Sequence, residues 1–178
     1  ASLQKTKIIC IANQKGGVGK TTTAVHLAAG LSILKRSILL VDCDAQGNAS
    51  SGLGFVKKGL ARHLYHAILG LAGIAEVIQP TSIANLSIIP SNMDLVGIEV
   101  DLAGRKNRAG ILKELLAPLV SFDYIILDCP PSLGLITINA LSASSSVIIP
   151  MQCEYYALEG LSQLVKIIRL VKHNFNPR

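Results

Sequence analysis

The chain has 178 residues, of which 50% are hydrophobic and only 16% charged, with a formal net charge of +6. That length suits one domain with a sizeable core. No uninterrupted apolar run reaches the roughly 18–20 residues that a membrane-spanning helix needs, and no basic-plus-apolar signal segment is visible. High apolar content without a span points to a parallel sheet covered on both faces, whose strands read as continuous Val/Ile/Leu runs. Cys10, Cys43, Cys129 and Cys153 stand singly, without C-x-x-C spacing, as expected of buried reduced thiols in a cytoplasmic protein. The positive balance permits an acidic partner without identifying one.

The first expected strand, near 7–12, ends in the apolar run Ile8-Ile9-Cys10-Ile11-Ala12. Asn13-Gln14-Lys15-Gly16-Gly17-Val18-Gly19-Lys20-Thr21-Thr22-Thr23 follows and opens a long apolar segment. A strand, a Gly-rich turn and a helix form a phosphate cradle: the glycines let successive N–H groups turn inward, and the helix start adds unpaired amides and its positive dipole end. Lys20 supplies a mobile ammonium for terminal phosphates, and the Thr21 hydroxyl is placed to ligate Mg²⁺.

The usual pattern is G-x-x-x-x-G-K-[ST]; here Gln14 occupies the first glycine position and a second lysine, Lys15, starts the loop. With that exchange the chain resembles the ParA/MinD family of deviant Walker A P-loop ATPases. The resemblance implies ATP and Mg²⁺ as cofactors, bound by Lys15, Gly16, Gly17, Val18, Gly19, Lys20, Thr21 and Thr22. It also implies that Lys15 reaches across a nucleotide-sandwich dimer to the partner's phosphates. The alternative for Lys15 is a solvated loop lysine.

The helix expected over 19–34 is apolar nearly all round (Ala24, Val25, Leu27, Ala28, Ala29, Leu31, Leu34), which predicts burial against the sheet rather than half exposure. After Lys35-Arg36-Ser37, a second strand, Ile38-Leu39-Leu40-Val41, runs into Asp42-Cys43-Asp44-Ala45-Gln46-Gly47-Asn48. Carboxylates at the C-terminal end of such a strand lie where α/β sheets bind ligands. The segment is similar to the family's V-D-x-D-x-Q-G-N first switch loop and favours the ParA branch, with Ala45 where proline is usual. By that resemblance Asp44 positions the attacking water and Asp42 supports the Mg²⁺ shell. An Asx turn is the other reading of Asp44.

Residues 49–80 are less regular. Lys57-Lys58-Gly59 precedes an expected helix through Leu60, Leu64 and Ile68, broken between Gly70 and Gly73, with another short helix after it. His63 and His66 would share a face, and with no Cys or carboxylate nearby in sequence they read as structural. A third strand is expected over 86–90 and a helix over 91–102, where I-P-S-N-M-D-L again resembles ParA-like sequences. Arg105-Lys106-Asn107-Arg108 then reads as the solvated start of a helix over 111–120, or alternatively as a DNA-phosphate contact.

Tyr124-Ile125-Ile126-Leu127-Asp128 is a strand ending in a carboxylate, as a Walker B element requires, with Asp128 holding Mg²⁺ through a water. Cys129-Pro130-Pro131-Ser132-Leu133-Gly134 resembles the family's second switch. A fifth strand is expected over 146–150, and Gln152-Cys153-Glu154-Tyr155-Tyr156-Ala157-Leu158-Glu159-Gly160 is similar to a ParA-branch segment near the dimer interface. In the last helix, about 156–172, Leu158, Leu161, Val165 and Ile168 form an apolar stripe, and Lys166, Arg169 and Lys172 lie on another face. That basic face suits a solvated exterior or a phosphate backbone.

The fold expected is a doubly wound α/β P-loop NTPase: one domain over 1–178 with a mostly parallel sheet of at least five strands and helices on both faces. Relative to the resemblance, the family's usual C-terminal strand and helices, which carry the adenine loop and most of the DNA-binding patch, are lacking. The resemblance implies an ATP-dependent dimerising switch ATPase in chromosome or plasmid partitioning, slow and partner-stimulated. Lys15, Lys20 and Asp44 would be catalytic, and Thr21, Asp42 and Asp128 would serve the metal. Implied partners are a second copy with ATP, a ParB-like centromere-binding activator and nonspecific DNA, in the cytoplasm or on the nucleoid and without a membrane. Two alternatives stand beside it: a MinD-like spatial regulator, which needs a C-terminal amphipathic membrane helix, and a truncated nucleotide-binding module without turnover. An iron–sulfur reductase is disfavoured because Cys129 directly abuts Asp128.

Overall fold

The computed structural model describes residues 5–56, 59–154 and 157–177. Strands β1 (Lys7–Ile11), β2 (Ile38–Asp42), β3 (Gln79–Pro80), β4 (Leu86–Ile89), β5 (Tyr124–Asp128) and β6 (Ser146–Ile148) form one sheet in the order β3-β4-β2-β5-β1-β6. All neighbours pair in parallel except the short edge strand β3, which is antiparallel to β4. The expected α/β class with at least five mostly parallel strands is therefore present. From β1 the chain moves to β2 and β4 on one side, then returns through β5 to place β6 on the other. The loop after β1 thus leaves the sheet where strand progression reverses, the usual place for a ligand crevice.

Alternation along the strands divides the core between two faces. Ile11, Ile38, Leu40, Ile88 and Ile126 pack beneath α1 (Lys20–Ile33) and α2 (Asn48–Gly52). Cys10, Leu39, Val41, Ile125 and Leu127 face the other way, against α3 (Leu64–Leu69), α4 (Ile98–Asp101), α5 (Ile111–Leu116), α6 (Leu135–Ala143) and α7 (Ala157–Asn174). β2 is buried along its whole length, which explains why its sequence shows no polar alternation.

Several expectations are corrected. α1 is not buried all round: Lys20, Ala24, Ala28 and Ser32 form its inner stripe, and Ile33 and Leu34 are exposed. Val25, Leu27 and Leu31 flank that stripe and pack against the same core half-buried, so the apolar residues left uncovered among the described residues are Ile33 and Leu34. The helix expected over 91–102 is a 3₁₀ turn, Met93–Gly97, followed by the four-residue α4, because Asn92 caps the turn by accepting from Asp94 N. α5 stops at Leu116 because Pro118, just beyond the helical C-cap Ala117, has no N–H to continue the ladder. α3 starts at Leu64, with His63 at its N-cap, and the short element after the glycine break is a 3₁₀ turn, Ile74–Val77. α2, β3 and α6 had no sequence counterpart. In α7 the inner positions are Leu164 and Val171, with Leu158 exposed, so the true stripe is offset from the expected one; Lys166, Arg169 and Lys172 lie outward as anticipated. Lys57, Lys58, Tyr155 and Tyr156 lie outside the described residues.

Asn139 ties two helices of the second face together. Buried in α6, it accepts from Leu112 N at 3.1 Å and donates to Arg108 O at 2.7 Å and Leu135 O at 3.0 Å. Asn139→Ala removes all three bonds and leaves a buried amide at the start of α5 unpaired. It should lower the unfolding free energy by ~2–3 kcal/mol, read from the urea midpoint at constant slope; a loss below ~0.5 kcal/mol would mean that water replaces these bonds.

Candidate functional site

The chain between β1 and α1 wraps a concave loop. Gly17 and Gly19 have φ of +72° and +88°, values at which a Cβ is strained, so the loop requires glycine at these two positions. Asn13 braces its entry: the side-chain oxygen accepts from Lys15 N at 3.0 Å, and the amide donates to Pro150 O beyond β6 at 2.7 Å. At the exit, α1 has neither a side-chain cap nor an acidic residue in its first turn. Its N-terminal dipole end is left to whatever anion the loop holds.

Lys20 is the second α1 feature of note. Only 7% exposed, its ammonium donates to the Lys15 carbonyl at 2.8 Å. Burial lowers its pKa from the ordinary lysine range, and the negative charges of Asp128 and Asp44 oppose that fall. Lys15 behaves differently: its side chain projects outward and pairs with the Glu154 carboxylate.

Parallel register brings the two strand-end carboxylates together. Asp42 on β2 stands opposite Asp128 on β5, which stands opposite Ile11 on β1, and both aspartates are fully buried. Their environments diverge. One Asp42 oxygen accepts from Asp44 N at 3.1 Å; the other accepts from the Ser50 N–H at 2.8 Å and the Ser50 hydroxyl at 2.6 Å. The Ser50 hydroxyl in turn accepts from Ser91 N at 3.0 Å, so Asp42 anchors the loop after β2 and the turn after β4. Burial raises the Asp42 pKa, and the Ser50 and Asp44 hydrogen bonds oppose the rise.

Asp128 has no such support: neither carboxylate oxygen has a hydrogen-bond partner among the described residues. Burial lifts its pKa to about 7; the Thr21 hydroxyl opposes the rise, Asp42 and Asp44 add to it, and Lys20 opposes it in turn. A buried carboxylate with both oxygens free, beside a threonine hydroxyl and an ammonium, is a donor set that fits a hydrated divalent cation.

Asp44 is half-buried and adopts the Asx turn that was its alternative reading: one side-chain oxygen accepts from Gln46 N at 2.9 Å, and its carbonyl accepts from Gly47 N at 2.8 Å. Its charge still acts on both Lys20 and Asp128. The fold therefore gathers Lys15, Gly16, Gly17, Val18, Gly19, Lys20, Thr21, Thr22, Asp42, Asp44 and Asp128 at the C-terminal ends of the central strands β1, β2 and β5. Asn13, Ser50 and Glu154 were missed. Asn13 carried a signal in directly preceding the loop, and Glu154 lay in the 152–160 segment similar to one near the family's dimer interface, but its pairing with Lys15, like the role of Ser50, is a contact made only by folding.

Other sequence candidates take structural roles. Arg105 donates to the Leu69 carbonyl at the end of α3. His63 is buried with Nε2 at 3.2 Å from Asp94, so folding supplies the carboxylate that its sequence neighbourhood lacked. No group of three or more metal-ligating side chains is assembled among the described residues. Cys10, Cys43 and Cys129 are buried free thiols, with the Cys10 and Cys129 sulfurs 3.3 Å apart, and Cys153 is exposed.

A family described as an AAA domain matches residues 6–178. The chromosome partitioning protein ParA of Myxococcus xanthus is 55% identical over 172 residues, covering 96% of this chain and 61% of that protein. The sporulation initiation inhibitor protein Soj of Bacillus subtilis is 53% identical over 171 residues, covering 96% and 68%. Among solved structures, cobyrinic acid a,c-diamide synthase from Mycobacterium smegmatis with bound ADP and magnesium superposes with a TM-score of 0.93 at 40% identity, over 97% of this chain and 70% of that one. The chain thus spans 61% to 70% of the length of these relatives.

The lifted Asp128 pKa has a stability consequence. Between an ordinary aspartate value of 3.8 and about 7 the folded protein holds a proton that the unfolded chain has released. Stability of the metal-free protein should therefore fall as pH rises across that window and level off above it. Asp128→Asn should flatten the slope and raise stability at pH 8 by ~1–3 kcal/mol; urea unfolding at pH 5 and 8 measures both. An unchanged slope would assign the pH dependence to another group.

Proposed function

Because the chain belongs to the ParA/Soj family of P-loop ATPases, we propose that it binds ATP with Mg²⁺ at the loop between β1 and α1 and hydrolyses it as a dimerising switch. The observation that carries this reading is Asp128: a fully buried, unpartnered carboxylate beside Thr21 and Lys20 at the mouth of an anion cradle. Thr21 and Asp128 would hold the magnesium ion, with Asp42 supporting its shell through the loop it anchors. When bound, the ion offsets charge on the phosphate oxygens.

Phosphoryl transfer asks the protein mainly for positioning and positive charge. The loop amides and the start of α1 cradle the phosphates, and Lys20, already desolvated, exchanges the Lys15 carbonyl for the terminal phosphates. Asp44 orients the attacking water. Lys15 extends to the phosphates of a second copy, so that ATP favours a two-fold dimer and hydrolysis releases it. The loops after β2 and β5 are the switches, ordered by the terminal phosphate and freed by its loss.

The family relationship extends this to chromosome or plasmid partitioning, with a ParB-like centromere-binding activator and nonspecific DNA as partners, in the cytoplasm or on the nucleoid. Slow, activator-stimulated turnover belongs to the same proposal. The higher identity to ParA and Soj, 55% and 53% against 40%, favours partitioning over a biosynthetic role. No helix among the described residues is long and apolar enough to cross a membrane.

Two substitutions separate binding from chemistry. Lys20→Ala removes charge-assisted bonds to phosphate and should weaken ATP–Mg²⁺ binding about 10–100-fold by calorimetry; unchanged affinity would refute the loop assignment. Asp44→Ala should leave binding within about threefold while single-turnover hydrolysis falls on the order of 100-fold. Retained hydrolysis would move the water-orienting role to another group.

A further inference from the structure

Three contacts strap the segment after β6 across the phosphate loop. The Asn13 amide donates to Pro150 O at 2.7 Å, the Gln152 amide reaches Gly17 O at 3.5 Å, and the Lys15 ammonium pairs with the Glu154 carboxylate. Lys15 is also held through its backbone, since its carbonyl accepts from Lys20 Nζ and its N–H donates to Asn13. Its side chain borders a cavity of about 250 Å³ lined by Gln14, Gln152, Glu159 and Gln163, so the ammonium has room to leave.

We propose that Glu154 is the resting counter-ion of Lys15 in the nucleotide-free protomer, and that this ion pair sets the threshold for Lys15 to engage a second copy. The inference rests on the cross-dimer reading of Lys15 given above. One ammonium cannot serve Glu154 and a partner's phosphates with full strength at once, so the two uses compete. With side chains 41% and 53% exposed, the pair is screened by water, which makes it breakable rather than permanent. Arrival of phosphate acts on the same residue from the other side: when Lys20 turns to the phosphates it gives up the Lys15 carbonyl. Nucleotide therefore loosens one of the two backbone holds on Lys15, leaving its N–H on Asn13, and the Glu154 pair restrains the side chain. The segment containing Glu154 leads directly into α7, so breaking the pair also releases the strap at the end nearest that helix.

The test has two arms. Acylation of the nucleotide-free chain with an amine-reactive ester, resolved by site, reports the pair itself. Glu154→Gln should speed acylation of Lys15 about two- to fivefold and leave Lys113 and Lys166 unchanged; no change at Lys15 overturns the proposal. Sedimentation with ATP and Mg²⁺ reports the threshold. Glu154→Gln should tighten the dimer about two- to fivefold, and the same substitution should have no effect when Lys15 is alanine. A dimer unchanged or weakened by Glu154→Gln, or no dimer in the unsubstituted chain, overturns the threshold role. Should Lys15→Ala dimerise as well as the unsubstituted chain, the cross-dimer reading of Lys15 fails and the threshold with it, whereas the acylation arm separately reports whether the ion pair forms.

Discussion

A carboxylate sealed from water without a partner is among the costliest features a small domain can keep, and the site is built around one. Asp128 sits at the end of a central strand with neither oxygen hydrogen-bonded among the described residues. Its neighbour in register, Asp42, is equally buried but fully satisfied by Ser50 and Asp44. The same residue type at the same depth thus performs two tasks. Asp42 spends its hydrogen-bonding capacity on shaping the loop after β2, and Asp128 is left without a hydrogen-bond partner among the described residues.

The two loop lysines divide in a parallel way. Lys20 is desolvated and already directed into the cradle by its bond to the Lys15 carbonyl. The Lys15 side chain is solvated, long and paired with Glu154 in an exposed ion pair. A buried ammonium gains most from a nearby phosphate because its desolvation is already complete, and an exposed one can move without losing packing. The five-residue spacing joins these behaviours, since the backbone of one lysine is the resting place of the other.

Nearly the same scaffold serves a differently named protein in Mycobacterium smegmatis, which superposes with a TM-score of 0.93. Fold and phosphate cradle are therefore common property, and biological role has to be argued from residues and from the closer relatives.

The cradle, its two lysines, the strand-end aspartates and five of the six strands were legible in the sequence, because each depends on short-range rules. Glycines permit left-handed φ at Gly17 and Gly19, buried parallel strands read as unbroken apolar runs, and a carboxylate after such a run lies at a strand end. Local pattern failed where the answer depended on what another segment covers. α1 looks apolar on all sides, yet only Ala24 and Ala28 among its apolar residues are fully buried, with Val25, Leu27 and Leu31 half-buried beside them and Ile33 exposed, and the inner face of α7 is set by Leu164 and Val171 rather than by the stripe that includes Leu158. The missed contacts have the same origin: Ser50 with Asp42, His63 with Asp94, and Lys15 with Glu154 across 139 residues of chain. Sequence by itself determined the fold class and the phosphate chemistry, since those are written in backbone freedom and hydrophobic period. Tertiary structure alone decided which buried carboxylate lacks a partner among the described residues and which lysine pairs with a distant glutamate, because solvation and charge pairing exist only once distant segments meet.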